Sequence, residues 1–197
     1  MTLELYSTLL TLGSIGIFII LLGVGVGYFF SMKIRECMKK ISYRQHLIAL
    51  VVISVVSIAG SLIYQLVYLT PVCELCWWQR IFLYPVSVIA IVALWFRTRE
   101  SHVTIAILSA FGLWYASYHY YFHFQGFVLG NKLSIPCSYG GLMPACTSSP
   151  VLVFGFATIP FMGIMVFGSM LILAVLAHTK LETGLWEKLM KIFKRNI

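Results

Sequence analysis

Five long runs of apolar residues follow one another along the 197-residue chain, separated by short polar segments. They extend approximately from Leu9 to Phe30, Leu47 to Leu69, Trp77 to Phe96, Val103 to Phe124 and Val151 to Ala177, and none has Lys, Asp or Glu in its interior. An α-helix rises about 1.5 Å per residue, so about 20 such residues cross some 30 Å of hydrocarbon. The runs are apolar on every face and far longer than the roughly ten-residue alternating strands of a barrel, so the pattern predicts an all-α integral membrane protein. At the end of the chain, Leu185, Trp186, Leu189 and Phe193 fall on one helical face and Lys188, Lys191 and Arg195 on another. That segment predicts an amphipathic helix resting on the headgroups.

Composition sharpens this reading. Hydrophobic residues make up 60% of the chain and charged residues 10%, against about 45–50% and about 25% in soluble domains. The net charge of +8 comes from 14 Lys and Arg against 6 Asp and Glu. A nucleic-acid partner is not implied, because the basic residues flank the apolar runs instead of sharing a folded polar surface.

Their distribution orients the chain. Lys33, Arg35, Lys39, Lys40 and Arg44 follow the first run, Arg97 and Arg99 follow the third, and Lys180, Lys188, Lys191, Lys194 and Arg195 occupy the tail. The opposite side holds only Arg80 and Lys132, so the positive-inside rule predicts an outside N-terminus and a cytoplasmic C-terminus. Cys73, Cys76, Cys137 and Cys146 then lie on the oxidising extracytoplasmic side, and Cys37 lies in the reducing cytosol. The first run lacks a basic n-region and a small-residue cleavage site, which predicts an additional membrane helix in place of a cleaved leader. Gly23, Gly25 and Gly27 sit inside it with no preceding strand, so they read as a helix-packing surface and not a nucleotide loop.

The stretch Thr70-Pro-Val-Cys73-Glu-Leu-Cys76-Trp-Trp-Gln79-Arg80 enters a membrane helix from the outer surface. A Cys-x-x-Cys pair can close a small disulfide, and unpaired N–H groups at a helix start stabilise a thiolate. Arg80, one turn beyond Cys76, has the reach to stabilise that thiolate or to hydrogen-bond a carbonyl of a lipid-soluble acceptor. The bland alternative makes Arg80 an interfacial anchor and the pair a staple. The second loop, Ile135-Pro-Cys137 to Cys146-Thr-Ser-Ser-Pro150, is rich in turn formers. Four outer cysteines allow three connectivities, and spacing does not choose among them. A tetrathiolate zinc cage fits poorly, since one pair enters the bilayer and the other is separated by eight residues, and no metal is expected. His119 and His123 share a helical face among Trp114, Tyr115, Tyr118, Tyr120 and Tyr121. This is either an interfacial aromatic belt or one wall of a quinone pocket.

The run Cys73-Glu-Leu-Cys76-Trp-Trp-Gln79-Arg80-Ile-Phe-Leu-Tyr-Pro85, the Cys137 to Cys146 loop and the following Phe154-Gly-Phe-Ala-Thr-Ile-Pro160-Phe resemble the bacterial disulfide bond formation protein B (DsbB) family, closest to its compact BdbC-like branch. The resemblance covers about residues 47 to 177. It implies a four-helix transmembrane bundle in the bacterial cytoplasmic membrane, here with an extra N-terminal span and basic connection (1–46) and an amphipathic tail (178–197). It also implies a thiol oxidase that reoxidises an extracytoplasmic thioredoxin-like (DsbA-like) disulfide donor and passes electrons to a membrane quinone, ubiquinone or menaquinone. By the same resemblance Cys137 and Cys146 exchange with the donor, while Cys73 and Cys76 face the quinone beside Arg80, with Gln79, His119 and His123 as further candidates to contact it.

Two departures from the family plan stand out, the additional leading span and Cys37. Rival readings are a reductase resembling the vitamin K epoxide reductases and a non-catalytic scaffold or small permease with structural disulfides. Motif order opposes the first, and the lack of a mid-span charge opposes the permease.

Overall fold

The structure, a computed structural model, describes residues 2–96, 98, 101–130 and 151–195, with side chains as far as Thr179 except that of Lys39. Among the described residues there are six α-helices: α1 (Leu3–Phe30), α2 (Met32–Lys40), α3 (Tyr43–Leu66), α4 (Glu74–Phe96), α5 (Ser101–His123) and α6 (Ile159–Arg195). A π-helical turn, Phe124–Val128, extends α5.

Local chemistry sets the boundaries. Thr2 caps α1 by accepting from the Leu5 N–H, and Ser42 with Gln45 forms a reciprocal capping box at the start of α3. Leu69, at φ 49°, turns the chain after α3. The exposed Pro71 and the buried Cys73 then lead into α4, and the Trp77 N–H closes the first turn onto the Cys73 carbonyl. Pro85 lies inside α4 and offers no N–H to the preceding turn.

By length and composition α1, α3, α4 and the Ile159–Thr179 part of α6 can each cross a membrane. The fourth apolar run is α5, equally long but more polar, with Ser109, His119 and His123 turned into the protein. The fifth run begins later than its hydropathy suggests. Residues from Val151 do not start the helix; Val153 and Ala157 pair as an antiparallel bridge around Phe154 at φ 56° and Gly155 at φ 76°. These two left-handed residues make a tight turn that excludes helix. The Tyr120 hydroxyl ties the turn to α5 by donating to the Phe156 carbonyl at 3.2 Å. At the other end, α6 runs without a break through Arg195, so the backbone of the amphipathic tail continues the last span.

The four helices α3, α4, α5 and α6 pack in a ring, each against two others, and α1 lies outside it along α6. Leu47 and Leu50 of α3, Leu83, Val86, Ala90 and Ala93 of α4, Ile105 and Ala116 of α5, and Phe167, Met170, Leu173 and Ala174 of α6 meet at the centre. Small residues permit close approach, as expected where lipid supplies no hydrophobic drive. A Cβ built on Gly112 of α5 would stand 2.3 Å from the Phe167 ring of α6. The outer surface is covered with exposed Leu, Ile, Val and Phe side chains, an apolar belt that suits hydrocarbon and not water.

Candidate functional site

The cysteine pair sits where the loop after α3 becomes α4. Cys73 precedes the helix and is buried, while Cys76 lies in its first turn and is half-buried. Their sulfurs are 3.0 Å apart, so closing a disulfide of about 2.05 Å takes a movement of roughly 1 Å.

His119 comes to this pair from α5. Its Nε2 is 3.5 Å from the Cys73 sulfur, and its Nδ1 is 3.0 Å from Nε2 of the Gln79 amide. Gln79 follows Cys76 by three residues and therefore projects from the same helix face. The amide fixes the imidazole ring while the other nitrogen meets the thiol. His123, one turn further on, is buried beside His119 with ring centroids 6.2 Å apart, and neither of its ring nitrogens has a hydrogen-bond partner among the described residues. Tyr115 packs on the pair and stacks on Trp78.

Arg80 is turned toward α3. The buried guanidinium donates from Nε to the Ser61 hydroxyl at 3.0 Å, from Nη1 to the Gln65 side-chain oxygen and from Nη2 to the Ser61 carbonyl at 3.1 Å. It also lies 5.4 Å from the Trp77 ring centroid. A charge at this depth is tolerated because its donors are satisfied and an aromatic face covers it.

Beside these groups is a cavity of about 260 Å³ bounded by α1, α3, α4 and α6. Ser61, Cys76, Gln79 and Arg80 line one end, and most of the remaining wall is aliphatic. Of the residues singled out in the sequence, Cys76, Gln79 and Arg80 reach this cavity. His119 and His123 are not on its wall; His119 stands with Cys73, and His123 beside His119. Cys137 and Cys146 lie outside the described residues, and Cys37 is exposed on α2. The sulfurs of Cys73 and Cys76 and a nitrogen of His119 all lie within 4.8 Å of one another, a donor set able to supply three ligands to a thiophilic cation.

Sequence reasoning missed Ser61 and Gln65, although Ser57, Ser61 and Gln65 recur at i, i+4 and i+8 within an apolar run and so mark a polar stripe on one face of α3. It also missed α1 as a cavity wall, for which the sequence offers no signal.

Arrangement and chemistry agree: an oxidisable thiol pair, an acid–base group at one sulfur, and a part-polar, part-greasy cavity at the other. The family profile described as "Disulfide bond formation protein DsbB" matches residues 43–179, from α3 to the end of the apolar part of α6. The SPbeta prophage-derived disulfide bond formation protein B of Bacillus subtilis is 35% identical over 103 residues, 52% of this chain and 65% of that relative. A probable disulfide formation protein of Coxiella burnetii is 31% identical over 133 residues, 67% of this chain and 86% of the relative. Disulfide bond formation protein C of Bacillus subtilis is 32% identical over 119 residues, 59% and 80% of the two chains. No solved structure matches.

Proposed function

The chain belongs to the DsbB family of disulfide bond formation proteins, a multi-pass membrane oxidoreductase that forms disulfides, and from this premise we propose its partners and electron path. It reoxidises an extracytoplasmic thioredoxin-like, DsbA-like donor and delivers the electrons to a membrane quinone, ubiquinone or menaquinone, with the cysteine end of the bundle facing outward.

The observation that carries this reading is the position of Cys76, which shares the wall of a membrane-depth cavity with Gln79 and Arg80 while its sulfur lies 3.0 Å from that of Cys73. The cavity suits an acceptor with a carbonyl-bearing ring and an aliphatic chain, since the Gln79 amide and the Arg80 guanidinium stand at one end and most of the remaining wall is apolar, Ser14, Ser57 and Ser169 apart. When bound, a quinone supplies a sink for two electrons and two protons.

The protein's own residues do the remainder. Oxidation of the donor converts two thiols to one disulfide and releases two electrons and two protons. Cys137 and Cys146 receive these by thiol–disulfide exchange and return to the disulfide by exchange with Cys73, which frees Cys76 as the leaving thiolate. Cys73 is the sulfur beside His119, so the imidazole is placed to take or return the proton of that thiol. Cys76 is the sulfur on the cavity wall, where its electrons can leave. Arg80, clamped by Ser61 and Gln65, presents a fixed positive charge to an acceptor oxygen. The Cys73–Cys76 disulfide re-forms as the electron pair departs.

Anaerobic assay of purified protein with a reduced thioredoxin-like donor tests this. Cys76→Ser abolishes quinone reduction and leaves exchange at Cys137 and Cys146 intact; quinone reduction at the parental rate by this variant would refute the assignment.

A further inference from the structure

We propose that α1 frames a side portal of the cavity, through which the isoprenoid tail of the acceptor reaches the hydrocarbon layer, and that Gly13 holds this portal open. The inference rests on the quinone reading above and adds a role for the one membrane helix that lies outside the family match at residues 43–179.

The cavity is elongated. From its polar end at Ser61, Cys76, Gln79 and Arg80, the lining follows α3 back to Val52 and α1 from Leu9 to Ile17. At about 1.5 Å per residue, these stretches are roughly 12 to 14 Å long. That approaches half of a hydrocarbon layer about 30 Å thick, so the apolar end lies near the middle of the membrane. A ring held at the polar end therefore has a mostly apolar channel beside it, where the hydroxyls of Ser14, Ser57 and Ser169 are turned to their own helix backbones.

One side of the channel is open. α1 packs along α6 and is latched to α3 near the cysteine end, where the Tyr6 hydroxyl donates to the Gly60 carbonyl at 3.1 Å and the Tyr6 and Tyr64 ring centroids are 5.0 Å apart. Beyond the latch, several residues line the cavity and are also exposed on the outer surface: Leu9 and Ile17 of α1, 54% and 45% exposed, and Val52 and Val56 of α3, 54% and 55% exposed. Residues reachable from both the cavity and the surroundings mark a window between the two helices. It faces the zone where lipid chains lie, and a molecule whose tail never leaves the bilayer must come and go by such a route.

Gly13 stands in this window. It lines the cavity, it is exposed, and a Cβ added to it meets nothing within 4 Å. A larger side chain can therefore stand there without displacing a neighbour, and it would occupy the opening itself.

The test compares full-length parent, Gly13→Leu and Gly23→Leu, purified in detergent. Gly23 is on the same helix, exposed, equally free of neighbours and away from the cavity, so it controls for a bulkier α1. Two readouts are taken: the isoprenoid quinone retained per protein on purification, and KM and kcat for an acceptor with an isoprenoid tail and for the same ring without one. Gly13→Leu is expected to lose most of the retained quinone and to raise KM for the tailed acceptor about tenfold more than KM for the tailless one. Gly23→Leu is expected to match the parent. If Gly13→Leu also matches it, or weakens both acceptors equally, the portal is wrong. If the parent retains no quinone and reduces neither acceptor, the quinone reading itself falls, and the portal with it.

Discussion

His119 of α5 holds its Nε2 3.5 Å from the sulfur of Cys73, a residue 46 positions earlier in the chain. The contact distinguishes the two cysteines, since Cys73 meets a base and Cys76 meets a cavity. On the proposed path, thiol exchange and electron delivery fall to different atoms only 3.0 Å apart.

Replacing that imidazole tests the division of labour. His119→Ala is expected to slow exchange at Cys73 by about 10²-fold. Stopped-flow exchange reads the rate; a parental rate in His119→Gln, which fills the site without supplying a base, would make His119 a packing residue only.

Arg80 is held by a fork that lysine cannot reproduce. Arg80→Lys keeps the charge but cannot make the same paired bonds to Ser61 and Gln65. It is expected to cost about 1–3 kcal/mol of stability and to raise KM for quinone, as seen by thermal unfolding in detergent and by steady-state kinetics. Gln65→Ala removes one acceptor and should show a smaller loss of the same kind.

The contact between α5 and α6 depends on the absence of a side chain. Gly112→Ala brings a methyl group to 2.3 Å from the Phe167 ring, in the middle of the buried core, and should destabilise the bundle by about 1–3 kcal/mol. Combining it with Phe167→Leu should recover part of the loss. Melting curves of the two singles and the double variant give the coupling.

Accessibility separates the thiols. Cys37 is exposed on α2, whereas Cys73 is 6% exposed, so a maleimide should modify Cys37 much faster in detergent. In intact cells a membrane-impermeant maleimide should spare Cys37 and reach the cysteine end from outside. Labelling of Cys37 from outside would invert the proposed orientation.

Most of the bundle was legible because lipid demands long apolar runs, and such runs have little choice but helix. The Cys73–Cys76 pair was equally plain, as three-residue spacing alone brings both sulfurs to one helix start. The fifth run reads as helix from Val151, because Val151 to Thr158 are as apolar as a span, while Phe154 and Gly155 take positive φ. Spacing along α4 sets Arg80 one turn beyond Cys76 on the same helix, as the structure has it, yet cannot reveal that its donors are used by Ser61 and Gln65. The aromatic neighbours of His119 fit an interfacial belt or a quinone wall; its meeting with Cys73 joins α5 to the residue that precedes α4, and no local pattern encodes it.

The tight turn at Phe154 and Gly155 has one more effect. It folds Val151 and Val153 back into a buried cluster with Tyr6 of α1, Tyr64 of α3 and Met162 of α6. One small knot of packing therefore ties the leading helix to three parts of the family fold. Unpicking the turn, for example with a residue at Gly155 that resists positive φ, would loosen the Tyr6 end of α1 together with the start of α6.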